Sequence, residues 1–112
     1  MRRGEVWWAS LADPEGSGPG YRRPVLIVSP NEFNESSIST IVIAALTSNL
    51  RLAAAPGNVR LGRGEGGVPK ASVVNVSQLY TVDRSRLTAK LGSLPGARLL
   101  NVDSGLRLAL GL

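Results

Sequence analysis

The chain has 112 residues, 43% of them hydrophobic, so it is long enough for one domain with a buried core and too short for two. Its 13 Lys and Arg residues against 8 Asp and Glu give a net charge of +5 and a pI near 10.8, which is typical of a protein with a polyanionic partner and equally compatible with a solvated basic surface that has none. It has no Cys and no His, which excludes disulfides, thiolate nucleophiles, zinc–sulfur sites and the usual neutral-pH acid–base group.

The amino terminus predicts no targeting segment. The residues after Met1 are charged and mixed, whereas a signal peptide continues into an unbroken apolar stretch. No uncharged apolar run in the sequence reaches the length that spans a membrane. We therefore expect one cytoplasmic domain over residues 1–112, with no membrane association.

Three apolar segments predict strands in the first half of the chain. Residues 5–11 (EVWWASL) form the first, and residues 24–29 (PVLIVS) and 38–46 (ISTIVIAAL) are typical of strands buried on both faces. Between them, residues 13–20 (DPEGSGPG) predict a flexible loop because Gly and Pro dominate them. Residues 30–37 predict a polar connection.

The second half predicts further short strands, Gly-rich loops and one final helix. The strands are expected at residues 59–61, 72–76, 78–82 and 87–91. Residues 62–69 (GRGEGGVP) predict a mobile flap, and Asp83 predicts the cap of a helical turn. Residues 95–110 favour a terminal helix with Pro95 in its first turn. This pattern predicts a compact β-barrel with one helix.

The basic pair Arg22–Arg23 lies directly before a buried strand. Pro24 biases Arg23 towards extended backbone, so its guanidinium is carried by a rigid element, as a catalytic group requires. Such a group can stabilise a pentavalent phosphorane or protonate a leaving oxygen. Two solvated charges at the start of a strand are the alternative interpretation.

Thr47 is a second candidate because it directly follows the apolar run 41–46 and therefore projects from a strand end. Its hydroxyl can bind a phosphate oxygen or orient an attacking 2′-hydroxyl, although a Thr that merely closes a strand is common. One of the adjacent Trp7 and Trp8 side chains can stack on a base or pack in a dimer interface. The carboxylates are scattered, which argues against a two-metal nuclease, and the segment GRGEGG lacks the GK[ST] of a phosphate-binding loop.

Several segments, taken in order, resemble the MazF/PemK toxin family. They are RGEVWWASL at 3–11, YRRPVLIVSPNEFN at 21–34, IVIAALTSN at 41–49, QLYTVD at 78–83 followed by Arg86 and Leu87, and LGSL at 91–94. The resemblance implies a mainly β fold, an SH3-like or CcdB-like small barrel with a C-terminal α-helix, and a homodimer. It further implies a metal-independent, cofactor-free endoribonuclease, an mRNA interferase that cuts single-stranded RNA at short sequences and leaves 2′,3′-cyclic phosphate and 5′-hydroxyl ends.

The same resemblance assigns the site. The family's catalytic Arg and Thr fall on Arg23 and Thr47, and the residues expected to bind RNA are Arg22, Ser17, Ser48, Ser72 and Gln78. No residue is expected to bind a metal. Arginine is a poor general base, so Arg23 is assigned to phosphate stabilisation and acid catalysis.

Two departures from the family pattern concern base recognition. Many members carry Gly-Ser-Glu where this chain has Gly16-Ser17-Gly18, and Asp-Ser where it has Ala71-Ser72. The expected partner is a cognate antitoxin whose acidic tail competes with RNA for the basic groove. The alternatives are a non-catalytic toxin resembling the gyrase poisons and a barrel that binds RNA without cutting it.

Overall fold

Six strands form one antiparallel sheet in the computed structural model, which describes residues 1–11 and 21–112. The strands are β1 (Glu5–Leu11), β2 (Tyr21–Ile27), β3 (Thr40–Thr47), β4 (Val59–Leu61), β5 (Ser72–Asp83) and β6 (Leu87–Ser93). The helices are the four-residue α1 (Asn31–Asn34) and the terminal α2 (Gly96–Leu110), with 3-10 turns at Leu50–Ala54, Glu65–Gly67 and Arg84–Arg86. The strand order is β4-β5-β3-β2-β1-β6.

The sheet curls into a half-barrel and buries a hydrophobic cluster on each face. One cluster lies under α2, where Val102 packs with Val6, Leu26 and Val74. The other contains Val25, Ile27, Ile41 and Ile43, which alternate along β2 and β3 with residues of the first cluster. Both faces of these strands are therefore buried, as the unbroken apolar runs in the sequence predicted.

Most element positions agree with the sequence prediction. Strands β1 and β4 have the predicted bounds, and the Asp83 side chain accepts from the Ser85 N–H to cap the turn that follows. The final helix is also confirmed, but Pro95 is its N-cap, with ψ 147, rather than a residue of its first turn. Strand β2 begins at Tyr21, three residues earlier than predicted.

Strand β5 differs from the prediction of two separate strands. It runs without a break through Ser77, with a bulge where the partner of Ala44 is Leu79 and the partner of Ala45 is Asn75. A bulge lets a strand bend and twist without ending. Ser77, a polar residue between two apolar runs, therefore marks a bulge rather than the end of a strand.

The segment 62–69, predicted to be a mobile flap, is instead packed against the rest of the fold. Gly66 is buried, and a Cβ at this position would lie 2.9 Å from both Leu94 and Val6. A Cβ at Gly67 would lie 2.2 Å from the Leu91 carbonyl oxygen. The glycines therefore permit close packing here, so that prediction is wrong for this part of the segment.

Helix α2 is held against the β4 side of the sheet by an equally close contact. A Cβ at Gly105 would lie 2.0 Å from the carbonyl oxygen of Gly57. The absence of a side chain at Gly105 therefore allows α2 to pack closely against the backbone at Gly57. In the described part of the chain, no helix is long and apolar enough to cross a membrane.

Candidate active site

The pairing of β2 with β3 brings Arg23 and Thr47 to the same end of the sheet. The two strands pair with Val25 opposite Ala45 and Leu26 opposite Ala44. Continued by two residues, this antiparallel register sets Arg23 opposite Thr47. The antiparallel pairing of β2 with β3 therefore brings together the basic pair and the polar strand end that the sequence singled out.

A pocket of about 260 Å³ opens at this end of the sheet. Its walls come from β1, β2, β3, the start of β5 and the segment preceding β5. The lining residues are Trp8, Arg22, Arg23, Pro24, Leu46, Thr47, Ser48, Pro69, Lys70 and Ser72. The pocket thus contains both predicted catalytic residues and three of the five residues predicted to bind RNA.

Arg23 lines this pocket, and one of its hydrogen-bond donors is unsatisfied within the described residues. Its Nε atom is buried and has no hydrogen-bond partner within residues 1–11 and 21–112. Its guanidinium carbon lies 5.5 Å from the centre of the Tyr21 ring, which orients the group without accepting from Nε. A buried donor left unpaired costs about 1–3 kcal/mol, and such donors occur at catalytic sites.

Thr47 is held in a defined hydrogen-bonding state. Its Oγ1 accepts from the backbone N–H of Asn49 at 3.1 Å. A hydroxyl carries one donor and two acceptor lone pairs, so this bond leaves the O–H free to donate. The arrangement therefore suits donation to a phosphate oxygen better than removal of a proton.

Arg22 and Trp8 form a second feature of the pocket. The Arg22 guanidinium carbon lies 4.9 Å from the centre of the Trp8 ring. Arg22 is opposite Ser10 in the β1–β2 register and Trp8 is opposite Pro24, so both side chains point to the same face. A stacked guanidinium and indole present a flat surface on which a nucleobase can stack.

The remaining predicted residues are placed differently. Ser48 is exposed at the pocket, whereas Ser72 is buried and its hydroxyl donates to the Lys70 carbonyl at 2.9 Å. Gln78 is exposed in the β5 bulge and does not line the pocket. Ser17 lies outside the described residues.

The pocket is cationic and the ion pairs of the fold lie elsewhere. Three cations and no carboxylate are among its described lining residues. The salt bridges among residues 1–11 and 21–112 are Arg2–Glu35, Arg3–Asp103, Lys90–Glu5 and Arg98–Glu65. Within those ranges, no three His, Cys, Asp or Glu residues are grouped to hold a metal ion. The charge of the pocket is thus available for an anion.

Sequence reasoning missed two residues that form one wall of the pocket, Pro69 and Lys70. They belong to a Gly-rich segment with no catalytic pattern of its own. One signal was present, because Lys70 is one of only two lysines in a chain whose other basic residues are arginines. The position of Lys70 beside Arg23 and Thr47 depends on the fold.

Known proteins with similar sequences are toxins. A family model described as a PemK-like, MazF-like toxin of type II toxin–antitoxin systems matches residues 2–110. Endoribonuclease MazF6 of Mycobacterium tuberculosis is 43% identical over 112 residues, which cover 100% of this chain and 98% of the relative. Endoribonuclease MazF of Staphylococcus epidermidis is 35% identical over 112 residues, covering 100% of this chain and 92% of the relative.

Solved structures share the fold. An endoribonuclease in complex with its cognate antitoxin, from a mycobacterial species, has a TM-score of 0.81 at 29% identity, over 100% of this chain and 96% of that chain. A MazE–MazF complex from Deinococcus radiodurans has a TM-score of 0.82 at 26% identity, with the same coverages of 100% and 96%. These likenesses confirm the predicted mainly β fold with a terminal helix. By sequence and by structure, the chain belongs to the PemK-like, MazF-like toxins of type II toxin–antitoxin systems.

Proposed function

We propose that this chain is an endoribonuclease toxin that cuts single-stranded RNA, with Arg23 and Thr47 at the scissile phosphate. The observation that carries the proposal is the cationic pocket that Arg23 and Thr47 line together, which has no carboxylate among its described lining residues. Relatives that match the chain over its whole length are named endoribonucleases, which supports the same activity. The cytoplasm, where its RNA substrate is found, is the proposed location.

In the proposed reaction the 2′-oxygen of RNA attacks the adjacent phosphorus. A bond forms between the 2′-oxygen and phosphorus, the bond from phosphorus to the 5′-oxygen breaks, and the 2′-hydroxyl releases its proton to the solvent. The 5′-oxygen gains a proton, so the products are a 2′,3′-cyclic phosphate and a 5′-hydroxyl. Negative charge grows on the phosphate oxygens in the transition state, where donors fixed by the fold stabilise it most.

Arg23 and Thr47 divide this stabilisation between them. The Arg23 guanidinium offers planar, parallel N–H donors to the non-bridging oxygens and a proton donor to the leaving oxygen. The Thr47 hydroxyl, whose oxygen already accepts from Asn49, donates to the same phosphate. Both act from strand ends rather than flexible loops, so the geometry is fixed before RNA binds.

Cleavage of a long single-stranded RNA in EDTA tests the proposal. We expect discrete cuts by the wild type, mapped by their 5′ ends, and a loss of about 100-fold or more with Arg23→Ala. Thr47→Ala should lose most of the activity while keeping the fold and RNA binding. Arg86→Gln is the matched control, because Arg86 is an exposed cation that does not line the pocket.

Three outcomes would count against parts of the proposal. If Thr47→Ala cuts at the wild-type rate, the role of Thr47 is wrong. If folded wild type binds several RNAs and leaves all of them intact, the chain is an RNA-binding barrel. If it neither binds nor cuts them, a non-catalytic toxin of the gyrase-poison kind becomes the better interpretation.

An antitoxin with an acidic tail is the proposed protein partner. Similar toxins have been solved with their cognate antitoxins. A pocket lined by Arg22, Arg23 and Lys70 offers such a tail the same cations as RNA. A polyglutamate peptide should therefore inhibit cleavage competitively and less strongly at high salt. Inhibition that does not depend on RNA concentration would contradict a shared site.

A homodimer is the proposed assembly. Apolar side chains are exposed on α2, with Leu100 at 68%, Leu108 at 62% and Leu110 at 55%. Such exposure on one helix is typical of a surface that packs against another chain. Sedimentation at working concentrations tests this proposal, and a monomeric mass would contradict it.

A further inference from the structure

We propose that Lys70 is a further RNA-binding residue of this site, and that its ammonium group binds a phosphate oxygen of the RNA held by Arg23. The inference rests on the proposed endoribonuclease function and adds a contact to it. Lys70 is exposed and lines the same pocket as Arg23 and Thr47, on the wall formed by the segment before β5.

The backbone that carries Lys70 is anchored on its amino-terminal side. Gly66 and Gly67 pack closely against β6 and its neighbours, as described above, and the side chain of Val68 is only 1% exposed within the hydrophobic core. Pro69 then restricts its own backbone dihedral. The lysine therefore extends from a fixed point rather than from a mobile loop.

Ser72 anchors the same segment on its carboxyl-terminal side. Its hydroxyl donates to the carbonyl oxygen of Lys70 at 2.9 Å. Ser72 is only 4% exposed and pairs with Leu61 at the start of β5. The contact gives Ser72 a role that the sequence did not indicate: it positions the backbone of Lys70, and the RNA contact itself is made by the lysine.

The charge of Lys70 is also available to a ligand. The other lysine, Lys90, is 2.9 Å from the carboxylate of Glu5. Lys70 has no carboxylate within ion-pair distance in the described ranges, and no described residue lining its pocket is acidic. Three cations and no carboxylate among the described residues around a space of about 260 Å³ suit an anionic ligand.

Lysine and arginine are complementary at such a site. The Arg23 fork matches two oxygens of one phosphate, whereas a lysine ammonium is a compact point charge with three rotatable donors. A point charge tolerates the changing geometry along an RNA backbone. Lys70 is therefore expected to contribute affinity for any RNA sequence, with little preference among bases.

The salt dependence of RNA binding tests this contact without relying on cleavage. The probe is a single-stranded RNA oligonucleotide carrying a 2′-methoxy group at the mapped cut site, with binding followed by fluorescence anisotropy. Each phosphate contact to single-stranded nucleic acid adds about 0.7 to the slope of log affinity against log salt. We expect Lys70→Gln to reduce that slope by about 0.7 and to weaken binding about 10-fold at low salt.

Two further variants control for fold and for overall charge. Lys70→Arg keeps the positive charge and should keep the slope, whereas Arg86→Gln removes one charge away from the pocket and should also leave it unchanged. If Lys70→Gln has the wild-type slope while the wild type cuts RNA, the Lys70 contact is refuted and the proposed function stands. If the wild type neither binds nor cuts RNA, the proposed function fails and this inference fails with it.

Discussion

The carboxylate of Glu5 is expected to stabilise the fold in a way that acid unfolding can measure. Glu5 is 8% exposed and lies 2.9 Å from the Lys90 ammonium. It also accepts from the Arg2 N–H at 2.9 Å and from the Trp7 indole at 3.0 Å. Burial by itself raises the pKa of Glu5, but these hydrogen bonds and the Lys90 charge outweigh it and lower the pKa from 4.5 to about 2.

The sign of the pH dependence follows from the direction of this shift. Because the folded-state pKa of Glu5 lies below the unfolded value, its stabilisation is complete above the unfolded pKa and is lost as the pH falls through the folded pKa. A shift of this size corresponds to about 3 kcal/mol of unfolding free energy at neutral pH. By the same relation, about 1 kcal/mol remains near pH 3 and almost none near pH 2.

Urea unfolding of the wild type and Glu5→Gln, from neutral pH to about pH 2 at one protein concentration, measures the effect. The difference in unfolding free energy should shrink by about 3 kcal/mol on acidification, because all other carboxylates titrate in both proteins. Glu35→Gln is the control, since the Glu35–Arg2 pair is exposed and should contribute at most about 1 kcal/mol. A difference that stays constant with pH would refute the reasoning.

Two further variants test close contacts of the fold. Gly105→Ala should destabilise the protein by about 1–3 kcal/mol, because the added Cβ would meet the Gly57 carbonyl oxygen at 2.0 Å. Gly96→Ala is the control and should be neutral or slightly stabilising, because no described atom beyond its own helix and chain neighbours would lie within 4 Å of its Cβ. Equal urea midpoints for the two variants would contradict this account. Ser72→Ala should weaken RNA binding in the wild type but add little in the Lys70→Gln background; fully additive losses would instead indicate that Ser72 contacts RNA directly.

The sequence predicted the strands better than it predicted their contacts. Apolar runs such as 41–46 identify buried strands because hydrophobic burial is a local property of composition. The bulge of β5 was mistaken for a gap, because a polar residue between two apolar runs is compatible with either. The packed segment around Gly67 was mistaken for a flap, because the same glycines permit flexibility and close approach.

The sequence predicted which residues belong to the candidate site better than it predicted how they are arranged in space. Local patterns indicated Arg23 and Thr47 only as candidates, and the family resemblance assigned their roles. Their meeting depends on the β2–β3 register, which no local pattern fixes. Gln78 was predicted from the family pattern and lies in the bulge, outside the pocket. Lys70 was missed because the rarity of lysine in the chain does not show that the fold brings its segment to the pocket.

The strand order has a consequence for when the protein becomes active. The pocket needs β2 and β3 together with the start of β5, and β3 pairs with β5 rather than with the intervening β4. Strand β1, which contributes Trp8, pairs with β6, the strand that follows β5. Pairings between strands so distant in sequence are slow to form, because the chain between them must be closed into a loop first. A growing chain on the ribosome therefore has no complete site until β5 is made, which delays the toxin until its own synthesis is well advanced.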